Sequence, residues 1–113
     1  MANHIKTRQT DETWVVRAAG AVIAESQNAV ELTEGDYPAV IYFPREDIAM
    51  AFLDESDHST HCPHKGEARY FTIQAKSGPI PNAGWSYEAP LPGVEQIKDH
   101  IAFYTDKVTV EAL

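Results

Sequence analysis

Thr60-His61-Cys62-Pro63-His64-Lys65-Gly66-Glu67-Ala68-Arg69-Tyr70-Phe71 is the stretch on which the reading of this chain turns. It holds the only cysteine and two of the five histidines. Pro63 and Gly66 are turn residues, so 58–65 is expected as a loop. The residues after Gly66 are aromatic and apolar, and 68–75 is expected as a strand. Outward from there, Lys76-Ser77-Gly78-Pro79 reads as a turn. The run 83–88 alternates, with Trp85 and Tyr87 on one face, and reads as the hairpin partner of 68–75.

Strand signals recur through the chain, by alternation at 29–32 and by a continuous β-branched and aromatic run at 39–43. Strands are expected at 13–19 and 21–26 around Gly20, at 29–32, at 39–43, at 101–104 and at 107–111. Pro44, followed by the carboxylates of Glu46 and Asp47, suits the first turn of a helix. Ile48, Phe52 and Leu53 would share its inner face, which predicts one short helix over 45–53. Asp54-Glu55-Ser56-Asp57 ends the apolar pattern. One further helical turn is expected within 94–99, and residues 1–12 are expected to be loose. Many short strands at close spacing predict a mostly β, single-domain fold over 1–113, a folded antiparallel sheet.

Bulk composition narrows the function classes. The chain has 113 residues, enough for one core, with 9 basic and 17 acidic residues and a net charge of −8. That field repels phosphate backbones and anionic bilayers, so neither nucleic acid nor membrane is expected as a partner. No apolar run approaches the roughly 20 residues of a membrane span. A single cysteine excludes an internal disulfide, a C-x-x-C redox pair and a Cys₄ or Cys₂His₂ zinc site. With no apolar secretion signal after Met1, a reducing, cytoplasmic setting is expected.

Pro44-Arg45-Glu46-Asp47, then Cys62-Pro63-x-Lys65-Gly66-x-Ala68-x-Tyr70, then Trp85-x-Tyr87-x-x-Pro90, then Ala102-Phe103-Tyr104 resemble the DUF427 family. Their order and spacing match from about Gly20 to Val110. The resemblance implies a small β fold of the β-tent type, and no established activity. A nucleotidyltransferase-like label attached to the family finds no support here: there is no G-x-x-x-x-G-K-[ST] loop and no paired Asp on one strand to hold metal. The third residue of the C-P-x-K-G run is usually aromatic in the family, and here it is His64. Several β-tent relatives hold zinc with two C-x-x-C pairs, which this chain lacks.

The candidate site residues follow from the motifs. Cys62 beside Lys65 reads either as an activated thiolate or as a small buried apolar residue. His58, His61, Cys62 and His64 have metal-ligand chemistry, but three ligands on one short loop rarely close a tetrahedral shell, so they read as solvated histidines and no metal or other cofactor is expected. Lys65, Arg69, Tyr70, Trp85 and Tyr87 combine cations with aromatic walls, which suits a planar or anionic small molecule. Arg45, Glu46 or Asp47 are expected partners for the tyrosine hydroxyls. The leading reading is a small-molecule-binding β module with its pocket at Asp47, Lys65, Arg69, Tyr70, Trp85 and Tyr87. Two others stand beside it: a thiol enzyme using Cys62 with Lys65 or His64, and an interaction domain that forms a homodimer through its strand edges.

Overall fold

A computed structural model describes residues 4–113. Ten strands follow in order: β1 (Ile5–Gln9), β2 (Trp14–Ala18), β3 (Ala21–Ser26), β4 (Val30–Glu34), β5 (Val40–Pro44), β6 (Leu53–Cys62), β7 (Gly66–Ala75), β8 (Gly78–Tyr87), β9 (His100–Phe103) and β10 (Thr109–Ala112). Seven form one sheet in the order β1-β4-β5-β9-β8-β7-β6, and three form a smaller sheet, β10-β2-β3. Every strand pairing is antiparallel. The architecture is therefore mostly β, as expected.

Period-two alternation sends each strand's residues to two different cores. The small sheet closes one face of the large one. Val16, Ala18, Ile23 and Ala24 pack there against Phe43, Phe71, Ile73, Ile101 and Phe103. The other face of the large sheet gathers Val30, Leu32, Tyr42, Ala68, Tyr70, Tyr87 and Ala102, packed against Val94 and Ile97 of the β8–β9 connection. Aromatic and β-branched residues dominate both faces, as a pleated, half-buried surface favours. The β2–β3 hairpin closes through Ala19 (φ 50°) and Gly20 (φ 83°), two positive φ values in succession, as a type I′ turn requires.

Three expectations need correction. The segment 45–53 is not one helix but two single 3₁₀ turns, Arg45–Asp47 and Met50–Phe52. Ile48 between them is extended (φ −112°, ψ 140°) and forms a β-bridge with Ala24. That tertiary bridge takes the backbone a continuous helix would need. Ile48 and Leu53 are buried, but Phe52 is half exposed.

The expected loop at 58–65 is mostly strand. β6 continues to Cys62, and only Pro63-His64-Lys65 form the connection, closed by Lys65 N–H donating to Cys62 O at 3.2 Å. β6 lies at the edge of the sheet, exposed along most of its length. Its charged and hydroxyl residues therefore do not need an apolar face, and they protect the edge from further pairing.

The third correction concerns residues 1–12. Met1 to Asn3 lie outside the described residues, but β1 is ordered as the opposite edge strand, paired with β4 from Ile5↔Glu34 to Gln9↔Val30. Only Ile5 of β1 is buried, so its composition does not announce a strand. Thr10 then anchors the segment, with its Oγ1 donating to Ala29 O at 2.8 Å.

Candidate functional site

The face carrying Tyr42, Tyr70 and Tyr87 is not filled completely. A chamber of about 220 Å³ remains, lined by Leu32, Glu34, Tyr37, Pro38, Val40, Tyr42, Lys65, Tyr70, Trp85, Tyr87 and Tyr104. Strand register explains the assembly. Tyr70 stands opposite Trp85 across β7–β8, and Trp85 stands opposite Ala102 across β8–β9. Ala102 stands opposite Tyr42 across β9–β5. The small Ala102 leaves room between the two large side chains. Trp85 Nε1–H then donates to the Tyr42 hydroxyl at 3.1 Å, and the Trp85 ring tilts against Tyr104 at 4.5 Å between centroids.

Lys65 enters from the β6–β7 connection. Its Nζ donates to Glu34 Oε1 at 2.7 Å and lies 5.9 Å from the Tyr87 ring centroid. The Lys65 side chain is only 12% exposed and that of Glu34 23%, so the pair is substantially shielded from water. The ammonium, through this hydrogen bond, holds the Glu34 carboxyl below the usual carboxylate range. His4 Nε2 lies 3.6 Å from the other carboxylate oxygen. Burial raises the hydroxyls of Tyr42 and Tyr87 well above the ordinary phenol range. It pushes Tyr104 up to about 12, reinforced by the neighbouring Tyr70 hydroxyl. At neutral pH the chamber therefore offers uncharged phenol hydroxyls beside one neutralised ion pair.

Of the residues singled out in the sequence, Lys65, Tyr70, Trp85 and Tyr87 line this chamber together. Arg69 does not. It follows Ala68 and precedes Tyr70 on one strand, and adjacent strand residues face opposite sides of a sheet. Arg69 is exposed and donates to Glu55 at 2.8 Å. Asp47 is also elsewhere: it accepts from Ser26 Oγ at 2.6 Å, and that hydroxyl accepts from Asn28 N–H. This ties the first 3₁₀ turn to the end of β3.

Nor do the residues after Pro44 reach the tyrosines. Tyr70 OH pairs with Thr60 Oγ1 at 2.9 Å. Arg45 instead stacks over Phe71 and donates to Ser86 and Glu88.

Cys62 is a free, partly buried thiol at the end of β6, packed against the edge of the tyrosine cluster. Of its two expected electrostatic partners, Lys65 is engaged by Glu34 and the His64 ring packs edge-on against His4 at 4.9 Å. The histidines of β6 have separate neighbours. His58 stacks on Tyr70 at 4.5 Å and His61 pairs with Glu67 at 3.1 Å. Among the described residues, no three His, Cys, Asp or Glu side chains come together as metal ligands. Also among the described residues, no helix is long and apolar enough to cross a membrane.

Sequence reasoning missed Glu34, Tyr37, Tyr42 and Tyr104. Glu34 stands in the turn-forming run Glu34-Gly35-Asp36, and Tyr42 in the apolar run 39–43, so neither lies in a motif that marks a site. The one available signal was the phenol hydroxyl of Tyr42 within Val40-Ile41-Tyr42-Phe43, a polar atom that needs a partner once buried.

A comparison with curated proteins returned no match. The sequence pattern of a domain of unknown function, DUF427, matches residues 6–112. With nearly its whole length matched, and with the Cys62-to-Tyr70 and Trp85-to-Tyr87 motifs converging on one chamber, the chain belongs to the DUF427 family.

Proposed function

We propose that this protein binds a small, flat, uncharged molecule that inserts an amide-like polar end into the chamber. The observation that carries the reading is the Lys65–Glu34 pair. It places a donor and an acceptor 2.7 Å apart on a wall otherwise built from Trp85, tyrosines and the apolar Leu32, Pro38 and Val40. A carboxamide carries the complementary acceptor and donor on adjacent atoms, so it can bond both members of the pair. An anion would meet a lysine already neutralised by Glu34, in a protein of net charge −8. The aromatic rings favour a flat body through offset or edge-on contact. At about 220 Å³ the chamber is smaller than the roughly 300 Å³ at which drug-sized sites begin, so it suits a ring-sized group.

The test is a thermal-shift and calorimetric comparison of planar carboxamides, beginning with benzamide, against the carboxylates of the same shape. At 100 times the dissociation constant a ligand stabilises the fold by about 2.7 kcal/mol. Amides are expected to bind more tightly than matched carboxylates, and Lys65→Met and Glu34→Gln are each expected to weaken them at least tenfold. Equal affinity in wild type and both variants, or a preference for the carboxylates, would overturn the proposal.

A further inference from the structure

We infer that the ligand is longer than the chamber and that an apolar tail runs from it into a second, larger cleft between β5 and β9. The inference rests on the binding reading above. Its basis is an interruption in the large sheet. The β5–β9 ladder has three pairs, Pro44↔His100, Phe43↔Ile101 and Tyr42↔Ala102. Beyond Tyr42, β5 keeps its pairing with β4 through Glu31↔Ile41 and Leu32↔Val40. The chain after Phe103 follows β8 instead, with Tyr104 N–H donating to Ala83 O at 2.8 Å. Lys107 and Val108 then both donate their N–H groups to Tyr104 O. Where further β5–β9 pairs would lie, the sheet opens.

The opening is a cleft of about 530 Å³, within the roughly 300–1,000 Å³ of small-molecule sites. Ala39, Ile41, Phe103, Val110 and Trp14 line it. Its one ionised side chain, Glu31, is paired with Arg8 at 2.8 Å. The cleft therefore has little to offer a charged group, and burial of hydrocarbon is its favourable use.

Continuity decides the occupant. Tyr37, Pro38, Val40, Trp85 and Tyr104 line both the chamber and the cleft. Trp85 has its indole N–H committed to Tyr42 and lies on the wall common to the two spaces. Tyr37 is 75% exposed beside both, so a bound molecule could cover apolar surface that the fold alone leaves in water. A ligand with its amide end at Lys65 and Glu34 and a hydrocarbon tail past Trp85 fills both. The chemical class is a neutral amphiphile: a flat amide-bearing group with an extended apolar substituent.

The chain has two tryptophans, and both line the cleft, Trp85 at the shared wall and Trp14 among the cleft residues only. Their indole N–H signals in a ¹H–¹⁵N spectrum report the two ends separately. The experiment titrates the full chain with benzamide and with 4-methyl- to 4-hexylbenzamide. Affinity is expected to rise two- to fourfold per added methylene, fourfold being the full value for a buried CH₂. The Trp85 signal should move with every member, and the Trp14 signal with the longer ones. Ala39→Phe, an exposed position on the cleft wall, should abolish the gain with length.

Benzamide binding with no gain along the series and a still Trp14 signal would overturn the tail site and leave the chamber reading intact. A gain with length that leaves Trp14 unmoved and survives Ala39→Phe would place the tail elsewhere and overturn the inference. Absence of binding by every member up to millimolar concentration would overturn the inference and the reading beneath it together.

Discussion

Lys65→Met isolates the interaction on which the chamber is built. The ammonium and carboxylate are 2.7 Å apart, with side chains 12% and 23% exposed. At an effective dielectric of about 20, unit charges about 4 Å apart attract by about 4 kcal/mol. Partial desolvation of both groups offsets much of that, and hydrogen bonds to charged groups contribute a net of about 1.5–3 kcal/mol. Lys65→Met keeps the aliphatic length but leaves Glu34 without its nearest partner. The expected loss is about 2 kcal/mol at pH 7 by urea denaturation, a fall in Tm of roughly 4 °C or more per kcal/mol. In a Glu34→Gln background the same substitution should cost less than about 0.5 kcal/mol, which makes the coupling about 1.5 kcal/mol.

The pH dependence gives an independent check on the same pair. Glu34 has its folded pKa depressed by Lys65. The stabilisation is therefore complete above the unfolded carboxyl value of about 4.3 and is lost as pH falls through the lower folded value. The wild-type advantage over Lys65→Met should be constant from pH 7 to about 5 and shrink below about 4. A difference that stays unchanged at pH 3.5, or an equal cost of Lys65→Met in the Glu34→Gln background, would refute the reasoning.

Further expectations concern the cores and the turn. Phe43 is fully buried and packs edge-on to Phe103 at 6.0 Å, so Phe43→Ala should cost about 3–5 kcal/mol in urea denaturation. Gly66 has φ +115° and an added Cβ would lie 3.2 Å from Ala89 O, whereas Gly78 has φ +122° with open space. Both Ala variants should lose about 1–3 kcal/mol to backbone strain, and Gly66→Ala should lose measurably more. Tyr42, Tyr87 and Tyr104 hold their protons more tightly folded than unfolded. Stability should thus be present below the ordinary phenol value of about 10 and fall above it, by up to about 1.4 kcal/mol per pH unit for each such tyrosine. Tyrosinate absorbance appearing together with the loss of native circular dichroism near pH 11 would bear this out; three tyrosines ionising in a still-folded protein would not.

Much of the strand plan was legible because its signals are local. Alternation in 29–32 and 83–88 needs only a pleat, and Gly20 and Gly78 mark turns whatever the strands pair with. The helical reading of 45–53 failed because the Ile48–Ala24 bridge joins residues 24 apart, and no local pattern encodes it. β6 escaped notice for the opposite reason: an edge strand exposed on most of its length has no burial to print an alternation. Grouping Arg69 with Tyr70 was an avoidable error, since neighbours on one strand face opposite sides.

The sequence by itself determined the class of the protein, its family, and four of the chamber residues, because Lys65, Tyr70, Trp85 and Tyr87 lie within one hairpin and its preceding turn. Only the tertiary structure decided what those residues do. Glu34 reaches Lys65 across 31 positions, and Tyr42 reaches Trp85 across 43. Both meetings depend on strand order, which places β4 and β5 near the β7–β8 hairpin through the intervening β9. The physical reason is that strand propensity and turn chemistry act over a few residues. Charge neutralisation, the buried hydroxyls and the cleft beside Trp85 instead arise from packing between strands far apart in the chain.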